Sequence, residues 1–148
     1  MIGAGTVLDA ETARLAILAG AQFIFSPIFD ADTIKLTKRY GMISIPAAYT
    51  QTEIMQAFSL GGDIIKVFPA STLGPSYLKD VLAPLPQLKL LPTGGVNLDN
   101  IADYLKSGAI GVGLGGALVN KTNKVDSNYL SQLTLKAQQF IDKVNQMN

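Results

Sequence analysis

With 148 residues, 12 basic and 11 acidic side chains, the chain has the size of one ordinary domain and a net charge of +1, which supplies no field to draw it to nucleic acid or an anionic membrane. It contains neither cysteine nor histidine, which excludes disulfides, thiolate metal sites, cysteine nucleophiles and the commonest general base. Any chemistry must therefore use lysine, carboxylates, hydroxyls or backbone amides, and a small-molecule partner suits that inventory.

The chain opens on an apolar run over residues 2–7 that carries Gly3-Ala4-Gly5-Thr6 and has neither the basic region nor the long apolar region of a secretory leader. All apolar runs are short and broken by glycine, proline or charge, so a soluble, cytoplasmic protein is expected. Asp9 is placed to cap a helix running through Leu15 and Leu18 to Gly20. A second β-rich run, 23–26, ends at Ser26-Pro27, and Asp30 then caps a helix through Ile34 to Gly41. The run 42–46 leads into Thr50-Gln51-Thr52-Glu53, a capping box whose hydroxyl and carboxylate satisfy amides at a helix start. That role accounts for Glu53 better than a role as a base.

The fourth run, 64–68, carries Lys66, and Gly74-Pro75 opens the next helix, with proline where its missing N–H costs nothing. The fifth, 88–91, passes into Pro92-Thr93-Gly94-Gly95, after which Asn97 caps a helix ending at Gly108. The sixth, 110–114, is followed by Gly115-Gly116-Ala117. Over 128–144, Tyr129, Leu130, Leu133, Ala137, Phe140, Ile141 and Val144 recur every three or four residues, the pattern of a surface helix packed on the sheet. Six strands spaced roughly twenty residues apart and alternating with helices predict βα units and a parallel sheet, hence the α/β class. No linker divides residues 1–148, which are read as a single domain. In an eightfold barrel, six units leave two missing and two strand edges unpaired, an arrangement that favours an oligomer, a rearranged sheet or a truncated chain.

Lys66 is the sharpest chemical feature: in Asp63-Ile64-Ile65-Lys66-Val67-Phe68-Pro69 one ammonium interrupts a run that otherwise seeks burial. Burial disfavours the cation and releases a free amine able to attack a carbonyl carbon, giving an imine that withdraws electrons. In the alternative reading Lys66 reaches water at the strand end or pairs with Asp63. The turns Thr93-Gly94-Gly95 and Gly113-Leu114-Gly115-Gly116 follow the last two strands, where barrels commonly build anion sites from backbone amides. Each turn alone is more often a tight strand-to-helix connection. Thr6 offers a hydroxyl at the end of the first strand, and Ser26-Pro27 shapes either a pocket wall or a plain turn.

Gly3-Ala4-Gly5-Thr6-Val7-Leu8, Gly20-Ala21-Gln22-Phe23 with Ser26-Pro27, Ile65-Lys66-Val67-Phe68-Pro69-Ala70, and Pro92-Thr93-Gly94-Gly95-Val96 occur in one order at familiar spacings. Together they resemble the 2-keto-3-deoxy-6-phosphogluconate and 4-hydroxy-2-oxoglutarate aldolase family, over about residues 3–119. The resemblance implies a (β/α)₈ barrel of TIM type, about six units of it in this chain, a trimer, and no metal or organic cofactor. It implies cleavage of a 2-keto acid to pyruvate and an aldehyde through a Schiff base on Lys66. Thr6, Pro27, Phe68 and Thr93 would line the pocket around the pyruvyl group, and Gly94, Gly95, Gly115 and Gly116 would hold the phosphate or distal carboxylate. Ala117 stands where phosphate-using members often carry serine, and Ile28 and Ala47 where glycine is usual. The family's first two βα units, which normally carry an acid/base glutamate and a substrate-binding arginine, have no counterpart. The competing readings are a phosphate-binding barrel isomerase or synthase of the thiamine-phosphate-synthase type, and an inactive truncated aldolase.

Overall fold

The computed structural model describes residues 1–119 and 124–146. Five short strands, β1 (Phe23–Phe25), β2 (Ile43–Ile45), β3 (Ala47–Ala48), β4 (Ile65–Val67) and β5 (Leu90–Pro92), alternate with helices. All pair in parallel, β1 with β2 and β3 with β4 with β5. Pro46, which has no N–H to give a ladder, divides the expected 42–46 strand into β2 and β3. Its carbonyl still accepts the Lys66 amide at 2.9 Å, while the Ile45 carbonyl accepts the Ser26 amide at 3.1 Å, so the two halves hold one sheet together.

The outermost predicted runs, 2–7 and 110–114, are not regular strands. They touch the sheet through single bridges, Ala4 to Ile24 and Thr93 to Gly113. Each carries glycines, which weaken a strand, and each is bonded along only one side among the described residues. The bonds are nonetheless short: Phe25 N–H to the Ala4 carbonyl at 2.8 Å, and Gly113 N–H to the Pro92 carbonyl at 2.9 Å. The result is six parallel segments in chain order, an open sheet of TIM-barrel type.

The helices are α1 (Ala10–Leu18), α2 (Ala31–Arg39), α3 (Gln51–Ser59), α4 (Ala70–Leu82), α5 (Ile101–Lys106) and α6 (Ser127–Asn145). Asp9 caps α1 by accepting the Thr12 amide at 2.7 Å, and Asp30 caps α2 by accepting the Thr33 amide at 2.7 Å. The capping box of α3 is complete, with both the Thr50 hydroxyl and the Glu53 carboxylate engaged. Helix α4 begins at Ala70, ahead of the expected Gly74; it kinks at Gly74, whose φ of 73° suits glycine, and Pro75 restarts it. Asn97 accepts the Asp99 and Asn100 amides at 2.9 and 3.2 Å, so it fixes the turn before α5 and the helix proper starts later than expected.

The main core lies between the sheet and its helices. Ile65, Val67 and Leu90 from the strands meet Ile54, Leu78, Val81 and Ile101 from α3, α4 and α5, each essentially inaccessible to solvent. Burying one such side chain contributes about 1.5–3 kcal/mol, which fixes strand register. Helix α6 enters this core through its second half, where Phe140 is buried, while Leu130 and Leu135 remain exposed. The expected surface helix is therefore only partly packed. A smaller cluster of Val7, Ala13 and Ile24 seats α1 against the first segments.

Candidate active site

Register decides which way Lys66 points. Lys66 stands abreast of Ala47 on one side and Leu91 on the other, whereas its neighbours Ile65 and Val67 belong to the helix-facing core. Because side chains alternate along a strand, Lys66 projects from the opposite, inner face of the sheet. It is 6 % exposed, and its Nζ lies 4.4 Å from the centroid of the Phe25 ring and 4.3 Å from that of Phe68. Among the described residues no hydrogen bond or ion pair reaches it. Asp63, the partner that would have neutralised it, is held by Lys38 Nζ at 2.7 Å and by the Ser44 amide at 2.8 Å. Burial without a counter-ion pushes the Lys66 pKa below the ordinary lysine value. Among the described residues no fully enclosed side-chain nitrogen or oxygen lacks a partner, so the amine tip remains open to solvent.

Two clefts meet at Phe68, beyond the C-terminal ends of the strands, where barrel proteins carry their sites. The smaller, about 290 Å³, is lined by Pro27, Ile28, Ala47, Tyr49, Glu53 and Phe68. The larger, about 500 Å³, is lined among others by Phe68, Thr93, Gly94, Gly95, Gly115 and Gly116. Seven of the eight expected substrate-binding residues therefore gather around these two clefts, on either side of the ring that covers Lys66. Thr6 does not: it is exposed at the end of the first segment, outside both linings. A third and larger hollow of about 770 Å³ lies along the outer side of α3 and contains no ionisable side chain.

The larger cleft is held in place by backbone bonds between its loop and the lysine strand. The Thr93 amide donates to the Val67 carbonyl at 3.0 Å, and the Ala70 and Ser71 amides donate to the Thr93 and Gly94 carbonyls at 2.8 and 3.0 Å. The buried Tyr104 hydroxyl adds a bond to the Ala70 carbonyl at 2.9 Å. Gly94 and Gly95 take φ of 88° and 79°, and a side chain at Gly95 would run into Ser71. The first amides of α4 are thus already spent. By contrast, the amides of Gly94, Gly95, Gly115 and Gly116 donate no hydrogen bond among the described residues, which leaves them available to an anion.

One residue of the site was not singled out from the sequence, and a second was set aside there for its capping role. Phe25, which stacks on Lys66, sits directly before Ser26-Pro27, and strand alternation alone would have placed it on the inner face. Glu53, weighed as a base from its position near a strand end and set aside, forms the expected capping box of α3 and also lines the smaller cleft. Among the described residues no three His, Cys, Asp or Glu side chains gather as metal ligands, and no helix is long and apolar enough to cross a membrane.

Fold and site together define an α/β protein of TIM-barrel type whose inner face presents one desolvated lysine beside a glycine-lined cleft. The family model for KDPG and KHG aldolase matches residues 1–134, and the chain belongs to that family. It is 34 % identical to the 2-dehydro-3-deoxy-phosphogluconate aldolase of Treponema pallidum, covering 99 % of this chain and 70 % of that protein. A solved native KDPGal structure superposes with a TM-score of 0.87 at 32 % identity, over 97 % of this chain and 70 % of the other. The KDPG aldolase of Legionella pneumophila, solved with pyruvate captured as a covalent carbinolamine intermediate, superposes with a TM-score of 0.79 at 28 % identity, over 93 % of this chain and 66 % of the other. Across the first curated relatives the chain spans between 48 % and 70 % of their length.

Proposed function

We propose that this chain is a class I aldolase that cleaves 2-keto-3-deoxy-6-phosphogluconate or 4-hydroxy-2-oxoglutarate to pyruvate and an aldehyde, with Lys66 as the Schiff-base residue. The observation that carries the proposal is the Lys66 amine: buried, unpaired, facing inward and covered by Phe25 and Phe68. A lysine so placed costs less to hold neutral, and the neutral amine is the nucleophile. Nζ adds to the C2 carbonyl and water leaves, giving an iminium. The C4 hydroxyl proton passes to water as the C3–C4 bond breaks, and the electron pair of that bond moves into the iminium to form the enamine of pyruvate, with the aldehyde as the other product. Protonation at C3 and hydrolysis release pyruvate and regenerate the amine.

Pro27, Phe68 and Thr93 line the pyruvyl part in this reading, while Thr6 stands outside both clefts. The free amides of Gly94, Gly95, Gly115 and Gly116 receive the distal phosphate or carboxylate. The absence of a serine hydroxyl at Ala117 favours the substrate without phosphate. The same reading gives a cytoplasmic homotrimer. The carbinolamine captured on the Legionella relative is the chemical precedent for the first step.

Intact mass after incubation with pyruvate and borohydride tests the proposal. A single reduced adduct is expected on the unaltered protein and none on Lys66→Ala. An adduct that persists in Lys66→Ala, or none on a folded unaltered protein, overturns it.

A further inference from the structure

Two aromatic faces meet the Lys66 amine, and they are not equivalent. Phe68 lines both clefts, so its ring is also a wall of the substrate site. Phe25 lines neither, yet its ring centroid stands 4.4 Å from Nζ, against 4.3 Å for Phe68. The Phe25 backbone is fixed to the first segment: its amide donates to the Ala4 carbonyl at 2.8 Å and its carbonyl accepts the Val7 amide at 3.3 Å. Gly5 leaves the room for this approach, because a β-carbon there would stand 3.3 Å from Phe25 Cβ. Abreast of Lys66 stand Ala47 on β3 and Leu91 on β5, neither of which titrates. The titratable groups of the smaller cleft are Glu53 and Tyr49 at the start of α3, with Tyr77 of α4 donating its hydroxyl to the Tyr49 carbonyl at 2.7 Å. The larger cleft has none. No charge on any of them displaces the Lys66 pKa, which burial alone lowers.

We propose that Phe25 is a positioning residue for the amine: the negative face of its ring holds the positive charge on Nζ, as ammonium before a 2-oxo acid binds and as iminium afterwards. The inference rests on the Schiff-base reading of Lys66 and adds what steadies a charged intermediate where no counter-ion is present. Conservation of charge gives this role a signature. An ammonium and a ketone give an iminium and water, so one positive charge stands over the ring before and after, and the ring favours neither side. A neutral amine and a ketone take up a proton to give the same iminium and water, so the charge arrives over the ring only in the adduct, which the ring then favours. The contact therefore strengthens pyruvate binding only above the pKa of the amine, and it raises that pKa against the pull of burial. A ring contact of this kind shifts an equilibrium about twofold to fivefold, or a pKa by about half a unit.

The test follows the pyruvate concentration for half-maximal trapping by cyanoborohydride from about pH 6 to about pH 10. Three proteins are compared: the unaltered chain, Phe25→Leu, and a chain carrying a fluorinated phenylalanine at position 25. Fluorine nearly preserves the shape of the ring and drains negative charge from its face, so this chain decides alone where Phe25→Leu does not fold. Glu53, which the Thr50 amide holds below the usual glutamate range, stays ionised over the interval, and burial pushes the Tyr77 phenol above its ordinary value, so neither produces the inflection. In both variants the concentration is expected to be unchanged on the acid side, to begin its rise about half a pH unit earlier, and to lie about twofold to fivefold higher on the alkaline side, the fluorinated ring giving the smaller effect. A rise by the same factor at every pH would show that Phe25 only shapes the site, and unchanged profiles in folded variants would show that its ring holds no charge; either overturns the inference and leaves the Schiff base standing. No pyruvate adduct on the unaltered protein removes the Schiff-base reading, and this inference with it.

Discussion

Replacing Lys66 by methionine should stabilise the protein while abolishing the imine, and the size of the gain follows from what surrounds the amine. A buried polar group without a hydrogen bond costs about 1–3 kcal/mol; Lys66 is 6 % exposed with no hydrogen-bonding or ionic partner among the described residues and keeps only its tip open to solvent, which puts it at the low end of that range. The Phe25 and Phe68 rings, at 4.4 and 4.3 Å, return roughly 0.5–1 kcal/mol each. Methionine keeps the length and the ring contacts, so the net gain at neutral pH is about 1 kcal/mol, or about 3 °C in melting temperature. The pH dependence discriminates the cause. Because burial lowers the folded-state pKa of Lys66 below its unfolded value, the unfolded chain binds more protons in the interval between them. The penalty is therefore complete below the folded pKa and disappears as pH rises toward the ordinary lysine value of 10.5. Urea unfolding of both proteins at pH 7 and near pH 10.5 measures this. A Lys66→Met protein that is less stable than the parent by the same amount at both pH values would show that the amine is a satisfied structural group, and the mechanism built on it would fall.

Two further substitutions probe the frame that holds the site. Gly95→Ala places a β-carbon at a φ of 79° and against Ser71, so it should cost roughly 1–3 kcal/mol in urea unfolding and slow cleavage more than it slows pyruvate trapping; an unaffected protein would mean that the glycine loop is free to move. Tyr104→Phe removes the 2.9 Å bond from the buried hydroxyl to the Ala70 carbonyl, for an expected loss of about 0.5–1.5 kcal/mol in urea unfolding; a neutral result would mean that the bond adds nothing to the helix start it touches.

How much of this was legible in the sequence depended on whether the signal was local. Strand centres and helix caps are local: Asp9, Asp30 and Thr50 cap the helices they were expected to cap, because a short polar side chain before an apolar period has one economical use. The outer runs 2–7 and 110–114 were expected as strands on apolar content, but regularity there depends on a neighbour to bond with, which local sequence does not contain. The start of α4 was misplaced for a related reason. Gly74-Pro75 is a strong opening signal, yet Ala70 and Ser71 are already made helical by bonds from their amides to Thr93 and Gly94, more than twenty residues away.

The same distinction explains why the lysine was readable while its surroundings were not. One cation in Ile64-Ile65-Lys66-Val67 announces an anomaly, but whether it is harmless depends on Asp63, three residues before it. The fold settles that competition at long range: α2 brings Lys38 to Asp63, and the Ser44 amide takes a second bond, so the carboxylate nearest in sequence is committed elsewhere. Alternation then turns Lys66 away from the helices, onto a face where two phenylalanines rather than acids await it. An unpaired amine at this position is thus a consequence of the whole sheet, which is why a single exchange at Asp63 or Lys38 would alter a surface ion pair and leave the amine's isolation intact.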